Sequence, residues 1–413
     1  MRKILIVGGG AAGLMAARSA AISGGSDAQI TILEHMEKCG RKIYITGKGR
    51  CNATNDCTRD EFLREVPRNP RFLYAALAAL SPQRLMDDLE EMGCPVTVQR
   101  GRRVFPASEK ASDVTRALTR DLERRGVQVQ LHADVQHLLL DGDTCRGVRL
   151  ASGHEIPADA VIVATGGLSA SGTGSTGDGY RLAREAGHTV TPLRPSLSAL
   201  ESDETWMHEL QGLSLQHVEL SARTGKKTIY REEGEMLFTH FGISGPLVLE
   251  LSSHLPDDPC ESAIFLNLKP ALTPEQLDAR LLREIQGQER RQLGNLLCAL
   301  LPSRFAAVFP SIIDLDPRKP AGELTREERH TLAGALQQLP LHVTGYRTIQ
   351  EAIVTRGGVS VREINPSTME SRLVHGLYFA GEVMDVDAHT GGYNLHIAFS
   401  TGFLAGQHAV LGA

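Results

Sequence analysis

Apolar positions along this chain follow two periods, and the period changes with place. Residues 3–7, Lys3-Ile4-Leu5-Ile6-Val7, are a short apolar run with β-branched side chains and read as a buried strand. Residues 14–22 are Ala-rich and read as helix, and 28–33 are a second apolar strand. Helices are predicted over 60–64, 70–80 and 82–92, the last with Leu85, Leu89 and Met92 on one face. Residues 96–98 and 103–105 read as a hairpin, 112–125 as an amphipathic helix capped by Ser112 or Asp113, and 127–131 as a strand. Another hairpin pairs 147–150 with 154–156 across Ser152-Gly153; strand 159–163 and helix 180–186 follow. From Thr191 the texture shifts. Residues 218–220, 227–230 and 263–268 alternate apolar and polar positions, the mark of short strands in a separate β-rich domain, with a turn-rich interruption over 236–246. Residues 273–338 are mostly helical, 343–354 alternate again, 377–379 read as a strand, and 396–411 as an apolar helix with Gly402 and Gly406 at close-packing positions.

Chemistry concentrates where strands run into glycine. Gly8, Gly10 and Gly13 make a G-x-G-x-x-G between the first strand and the first helix, and Glu34 ends the second strand. In that register Gly8 allows a tight turn, Gly10 admits a pyrophosphate to the backbone, and Gly13 lets helix and strand approach; Ala11 and Ala12 open a helix whose N-terminus offers free amides. Glu34, with His35 beside it, suits a ribose diol and repels a 2′-phosphate. The arrangement predicts dinucleotide binding. The polar segment 39–55 is too glycine-rich for a helix and reads as a long functional loop tracking the ligand, with Arg41 or Lys42 at the pyrophosphate. Val135 follows a turn often placed beside an adenine, Thr165-Gly166-Gly167 closes another strand, and Gly381-Glu382 a third. Gly391-Gly392-Tyr393-Asn394-Leu395 then leads into the last helix.

Composition narrows the class. With 413 residues and a formal net charge of -5, the chain has ample core and no overall electrostatic pull towards nucleic acid or membrane. No apolar run reaches membrane-spanning length, and a strand starting at residue 3 leaves no room for a signal peptide, so a cytoplasmic location is expected. Seven cysteines without a C-x-x-C predict reduced thiols and no metal site.

The glycine motif with Glu34, the middle Thr165-Gly166-Gly167 and the late Gly381-Glu382 resemble the flavoproteins with two dinucleotide-binding domains. More specifically, Gly40-Arg41-Lys42, Thr46-Gly47-Lys48-Gly49-Arg50-Cys51-Asn52, Phe238-Thr239-His240, Gly242-Ile243-Ser244-Gly245-Pro246, Thr355-Arg356-Gly357-Gly358-Val359 and Thr390-Gly391-Gly392-Tyr393-Asn394-Leu395 resemble the BaiN/YhiN-like flavoproteins, a family that includes proteins called aminoacetone oxidases. The resemblance implies an α/β fold: a Rossmann-like FAD/NAD(P)-binding domain over 1–190 and 357–413, a small β-barrel over 191–272 and 337–356, and a helical insert over 273–336. It implies FAD held along Gly8 to Glu34, along Gly40 to Asn52 (Thr46, Gly47, Gly49, Arg50, Cys51) and by the late motifs, with NAD(P)H as a transient electron donor.

Three reactions are implied for the family, all moving a hydride at the flavin: reduction of an electron-poor C=C bond, dihydrouridine formation in ribosomal RNA, and oxidation of small amines. The first is the leading expectation, with a small-molecule substrate; ribosomal RNA is the alternative partner. A non-catalytic flavin-binding module is the reading least in keeping with the polar loops. The proton donor that reduction needs is sought among Cys51, Arg50, His240, Tyr393 and His396.

Overall fold

The first apolar run forms strand β1 (Arg2–Val7), which is central in a five-stranded parallel sheet. The computed structural model describes residues 1–412. Helix α1 (Ala11–Gly24) leads to β2 (Ala28–Glu34), paired with β1 from Arg2↔Ala28 to Val7↔Leu33. Then β3 (Gln128–Leu131) adds outside β2, while β4 (Ala160–Val163) and β5 (Leu377–Phe379) add on the other side, giving the order β5-β4-β1-β2-β3. The order reverses between β1 and β4, and ligands of open parallel sheets bind beyond the strand C-termini at such a point. Ile4, Ile6, Ile32 and Val161 to Val163 are fully buried, as continuous apolar strands covered on both faces must be.

α1 and the C-terminal helix α3 (Tyr393–Leu411) pack in parallel. Gly402 and Gly406 make the approach possible: a Cβ would stand 2.2 Å from Ala12 O at the first and 2.1 Å from Ala16 O at the second. α1 also buries Arg18, whose guanidinium bonds Asp88 at 3.0 Å and Asp121 at 3.2 Å.

The chain separates into two compact units, residues 1–196 with those from 349 onward, and Leu197–Thr348. Within the second, seven antiparallel strands run in the order Leu339–Leu341, Ser262–Asn267, Ser214–Thr224, Lys227–Thr239, Gly242–Ser244, Leu200–Glu201, Gly345–Tyr346. Leu277, Phe305 and Leu336 from its helical segment share one core with Leu220, Met236 and Phe238 from the strands.

Several elements differ from the sequence reading. Segment 39–55 holds a short helix α2 (Arg41–Ile45), because Gly40 at φ 75° and Gly47 at φ 57° flank it rather than interrupt it. The amphipathic helix Ala111–Arg124 starts one residue early, with Lys110 at its N-cap and no side-chain cap from Ser112 or Asp113. Strand Val135–Asp141 pairs with Thr144–Leu150 in a hairpin hidden by its unbroken Leu138-Leu139-Leu140. Residues 343–354 are mostly irregular, and the last helix begins at Tyr393, not at 396.

Candidate functional site

The turn between β1 and α1 is set by what has no room for a side chain. At Gly8, φ is 104° and a Cβ would stand 2.6 Å from Ala164 O; at Gly13 it would stand 1.9 Å from Gly8 O. Gly10 is the opposite case, with open space around its Cβ position. α1 begins without a side-chain cap, and Leu14 N bonds Gly10 O at 2.9 Å, so the amides of Ala11, Ala12 and Gly13 have no acceptor within the helix. Glu34 accepts Gly9 N at 2.7 Å on one oxygen and Met36 N at 2.8 Å on the other. Each oxygen keeps one lone-pair direction for a diol.

These groups open on a common cleft. Of the residues singled out in the sequence, it is lined by Gly8, Gly10, Ala11, Ala12, Glu34, His35, Gly40, Arg41, Lys42, Thr46, Val135, Thr165, Gly166, Glu382, Asn394 and Leu395. Gly9-to-Gly13 geometry, the carboxylate at the strand end and the open face of Gly10 fit an extended dinucleotide. The sequence reading missed its apolar wall, Ile353, Val354, Val386 and Ile397, and also Asp134, Thr173 and Ser175. The glycine run 172–179 was the available signal for the last two.

Midway along the cleft, Glu382 is fully engaged. Lys42 Nζ donates to one oxygen at 2.7 Å; Ser169 Oγ and Thr355 N donate to the other at 2.7 and 2.8 Å. Burial opposes the charge, but the Lys42 ammonium and these hydrogen bonds outweigh it and hold the carboxyl below its usual range. Lys42 is therefore committed to Glu382 and Ser169 rather than free for a pyrophosphate, and Arg41 pairs with Glu37 at 2.6 Å and bonds Gly172 O at 2.9 Å. Gly167 lies behind this cluster, where a Cβ would strike Thr355 Oγ1 at 2.3 Å.

α3 brings a second uncapped N-terminus to the cleft. Gly392, at φ 103°, packs on Thr54 O, and His396 N is bonded to Gly392 O at 3.2 Å. The Asn394 side chain ties the preceding loop, accepting Ala388 N at 2.8 Å and donating to Ala388 O at 2.6 Å. Gly381 lets α1 and α3 meet, its Cβ position being 2.8 Å from Ala12 Cβ.

The other predicted residues sit off the cleft. Gly13, Gly47, Gly49, Asn52, Gly167, Gly381 and Gly392 do not line it. Cys51, one of the candidate proton donors, is fully buried with φ 62°, and burial pushes its thiol up to about 12, as for a packed neutral thiol. Arg50 lies 4.4 Å over the Phe105 ring and bonds Gln99 and Glu109. His396 is also buried, donates through Nε2 to Leu80 O at 3.0 Å, and burial lowers its pKa to about 4, which removes it as an acid at neutral pH. His240 is exposed on the turn between two strands of the Leu197–Thr348 unit. Tyr393 opens α3, its ring edge-on to Phe62 at 5.1 Å, and it lines a separate cavity. The seven cysteines are free thiols, and among the described residues no helix is long and apolar enough to cross a membrane.

Comparison with known proteins agrees with this geometry. The family described as HI0933-like protein Rossmann domain matches residues 2–408. The chain is 32% identical to a 3-dehydro-bile acid delta(4,6)-reductase of Clostridium scindens, over 99% of both chains. It is 30% identical to a ribosomal RNA dihydrouridine synthase of Escherichia coli, covering 98% of this chain and 97% of the relative. Among solved structures, the 3-ketosteroid delta1-dehydrogenase of Sterolibacterium denitrificans shares the fold with a TM-score of 0.53 at 14% identity, covering 100% of each chain.

Proposed function

This chain belongs to the HI0933-like Rossmann-domain family of FAD-dependent oxidoreductases, and on that premise we propose that it reduces an electron-poor C=C bond of a small molecule. The Clostridium scindens relative, a reductase by name and alike over the whole chain, carries the reading. Bound FAD supplies the hydride. The chain's part is placement. The amides opening α1 would receive the pyrophosphate, Glu34 would take the ribose diol, and Val135 would border the adenine. The Lys42–Glu382 pair and the amides opening α3 would hold other parts of the cofactor, the helix N-terminus favouring negative charge. NAD(P)H serves as transient donor, since the sequence carries a single G-x-G-x-x-G. Tyr393 is a candidate for proton donation, whereas Cys51 and His396 are sealed from any substrate.

The second reading, dihydrouridine formation in ribosomal RNA, is favoured by the Escherichia coli relative. One experiment separates the two. The FAD-loaded protein is reduced anaerobically with NADH or NADPH and mixed with a steroid enone acid, a uridine-containing ribosomal RNA fragment, or oxygen. Rapid flavin re-oxidation by the enone is expected. Re-oxidation by RNA alone would transfer the assignment to the second reading, and by oxygen alone to an oxidase.

A further inference from the structure

In the Leu197–Thr348 unit, Lys269 sits on the turn that joins strand Ser262–Asn267 to helix Pro274–Ile285. The turn is closely specified: Lys269 N donates to Asn267 Oδ1 at 2.9 Å, and Leu272 N to Lys269 O at 3.1 Å. The Lys269 side chain is half-buried and borders a groove that it shares with Arg280 and Arg283. Those two arginines stand three residues apart on the helix, so they lie on one face of it. Leu272, Ala279 and Leu300 supply an apolar wall. Among the described residues no carboxylate lines the groove, although the chain as a whole is acidic.

The charges here are unevenly matched. Arg280 is paired through Nη2 with Glu284 at 2.6 Å, which lies outside the groove lining. Arg283 has a 3.4 Å bond from Nε to Ala279 O and no ion-pair partner among the described residues. The Lys269 ammonium has neither a hydrogen-bond nor an ion-pair partner among them. Burial first, and the Arg280 charge second, disfavour its charged form and lower its pKa. A larger share of this amine is therefore neutral and nucleophilic than of an exposed lysine at the same pH.

A nucleophilic amine beside cations that lack a counter-charge suits an electrophile carrying an anion. We propose that Lys269 is an acylation site for acyl phosphates, with Arg283 and Arg280 receiving the phosphate and the apolar wall the acyl group. The neutral Nζ lone pair attacks the acyl carbon. The N–C bond forms, the C–O bond to phosphate breaks, and its electron pair leaves with the phosphate. The Nζ proton goes to the leaving phosphate, so the products are a neutral amide and inorganic phosphate. The amide no longer repels Arg280, and the step relieves like-charge crowding that the fold builds in. This groove shares no lining residue with the dinucleotide cleft, and the site does not depend on the reductase reading.

The FAD-loaded protein is incubated with acetyl phosphate, or with the N-hydroxysuccinimide ester of acetic acid, which carries no phosphate. Acetylation is mapped by mass spectrometry. Lys226 and Lys227, exposed at a hairpin turn of the same unit, are the internal references. With acetyl phosphate, Lys269 is expected to react faster than either reference. Inorganic phosphate should slow it and leave the references unchanged, and its preference should shrink with the ester. Arg283→Gln should lower the acetyl phosphate rate at Lys269 about 10- to 100-fold, the range for a lost hydrogen bond to a charged group, and leave its rate with the ester unaltered. Arg283→Lys should recover part of the loss. Reaction of Lys269 no faster than Lys226, no protection by inorganic phosphate, or the same preference with the ester would each overturn the site. So would an Arg283→Gln rate that is unchanged, or that falls equally with both reagents.

Discussion

At the scale of single residues, burial decides which titratable groups can act. Cys51 follows Arg50 and Lys48 in sequence, which points to an activated thiol, yet the left-handed turn at Cys51 sends its side chain inward and Arg50 stacks on Phe105. Neighbours in sequence were legible; the direction of the side chain was not, because a single positive φ fixes it. His396 shows the energetic side. Its folded pKa, near 4, lies below the usual histidine value of about 6.5, so between those values the unfolded chain takes up a proton that the folded one refuses. Stability is therefore lost as pH falls from about 6.5 to about 4, by up to about 3 kcal/mol for this residue. Burial lowers the pKa of His188 as well, despite Glu363 nearby, so its loss runs in the same direction. Urea titrations at pH 7 and pH 5 should show the loss in the wild type and a shallower loss in His396→Gln. Equal losses would remove His396 from the account.

At the scale of elements, the site depends on two helices starting at the same place. The glycines of α3 were visible as close-packing positions, but their partner was not, since contact between residues nearly 400 apart in sequence leaves no local pattern. Gly402→Ala should push α3 off α1, cost about 1–3 kcal/mol as overpacking does, and weaken FAD binding by displacing the amides that open both helices. Gly334→Ala, in an open position of helix Arg326–Gln337, should instead raise stability by about 0.5–1 kcal/mol. Thermal melts with and without FAD, together with FAD titrations, distinguish the two; matched behaviour would discount helix contact as the cause. Arg18 escaped the sequence reading for a related reason. A lone arginine in an Ala-rich helix looks like a solvent-facing residue, and its partners Asp88 and Asp121 come from distant helices. The strands and glycine turns of the sheet were legible because each is a local event, as Gly8, Gly13 and Glu34 illustrate.

At the scale of the molecule, all of the residues found to line the cleft belong to the unit made from both sides of the insert. The paired strands Arg194–Ser196 and Val354–Arg356 lie close to where the chain leaves that unit and re-enters it. Replacing Leu197–Thr348 by a short Gly/Ser linker should then give a yellow protein, read by its flavin spectrum, with little turnover. Full turnover would show that the insert has no part in the reaction, and a colourless product that FAD retention needs it. The same discontinuity governs how the protein is made. α1 buries Ala12 to Ala20, yet it packs against α3, which leaves the ribosome only after the whole insert has been synthesised. At roughly 5–20 residues per second that interval is tens of seconds. Throughout it the nascent chain carries an apolar helix without its partner and only part of the cleft, so the FAD site can close only once α3 has emerged.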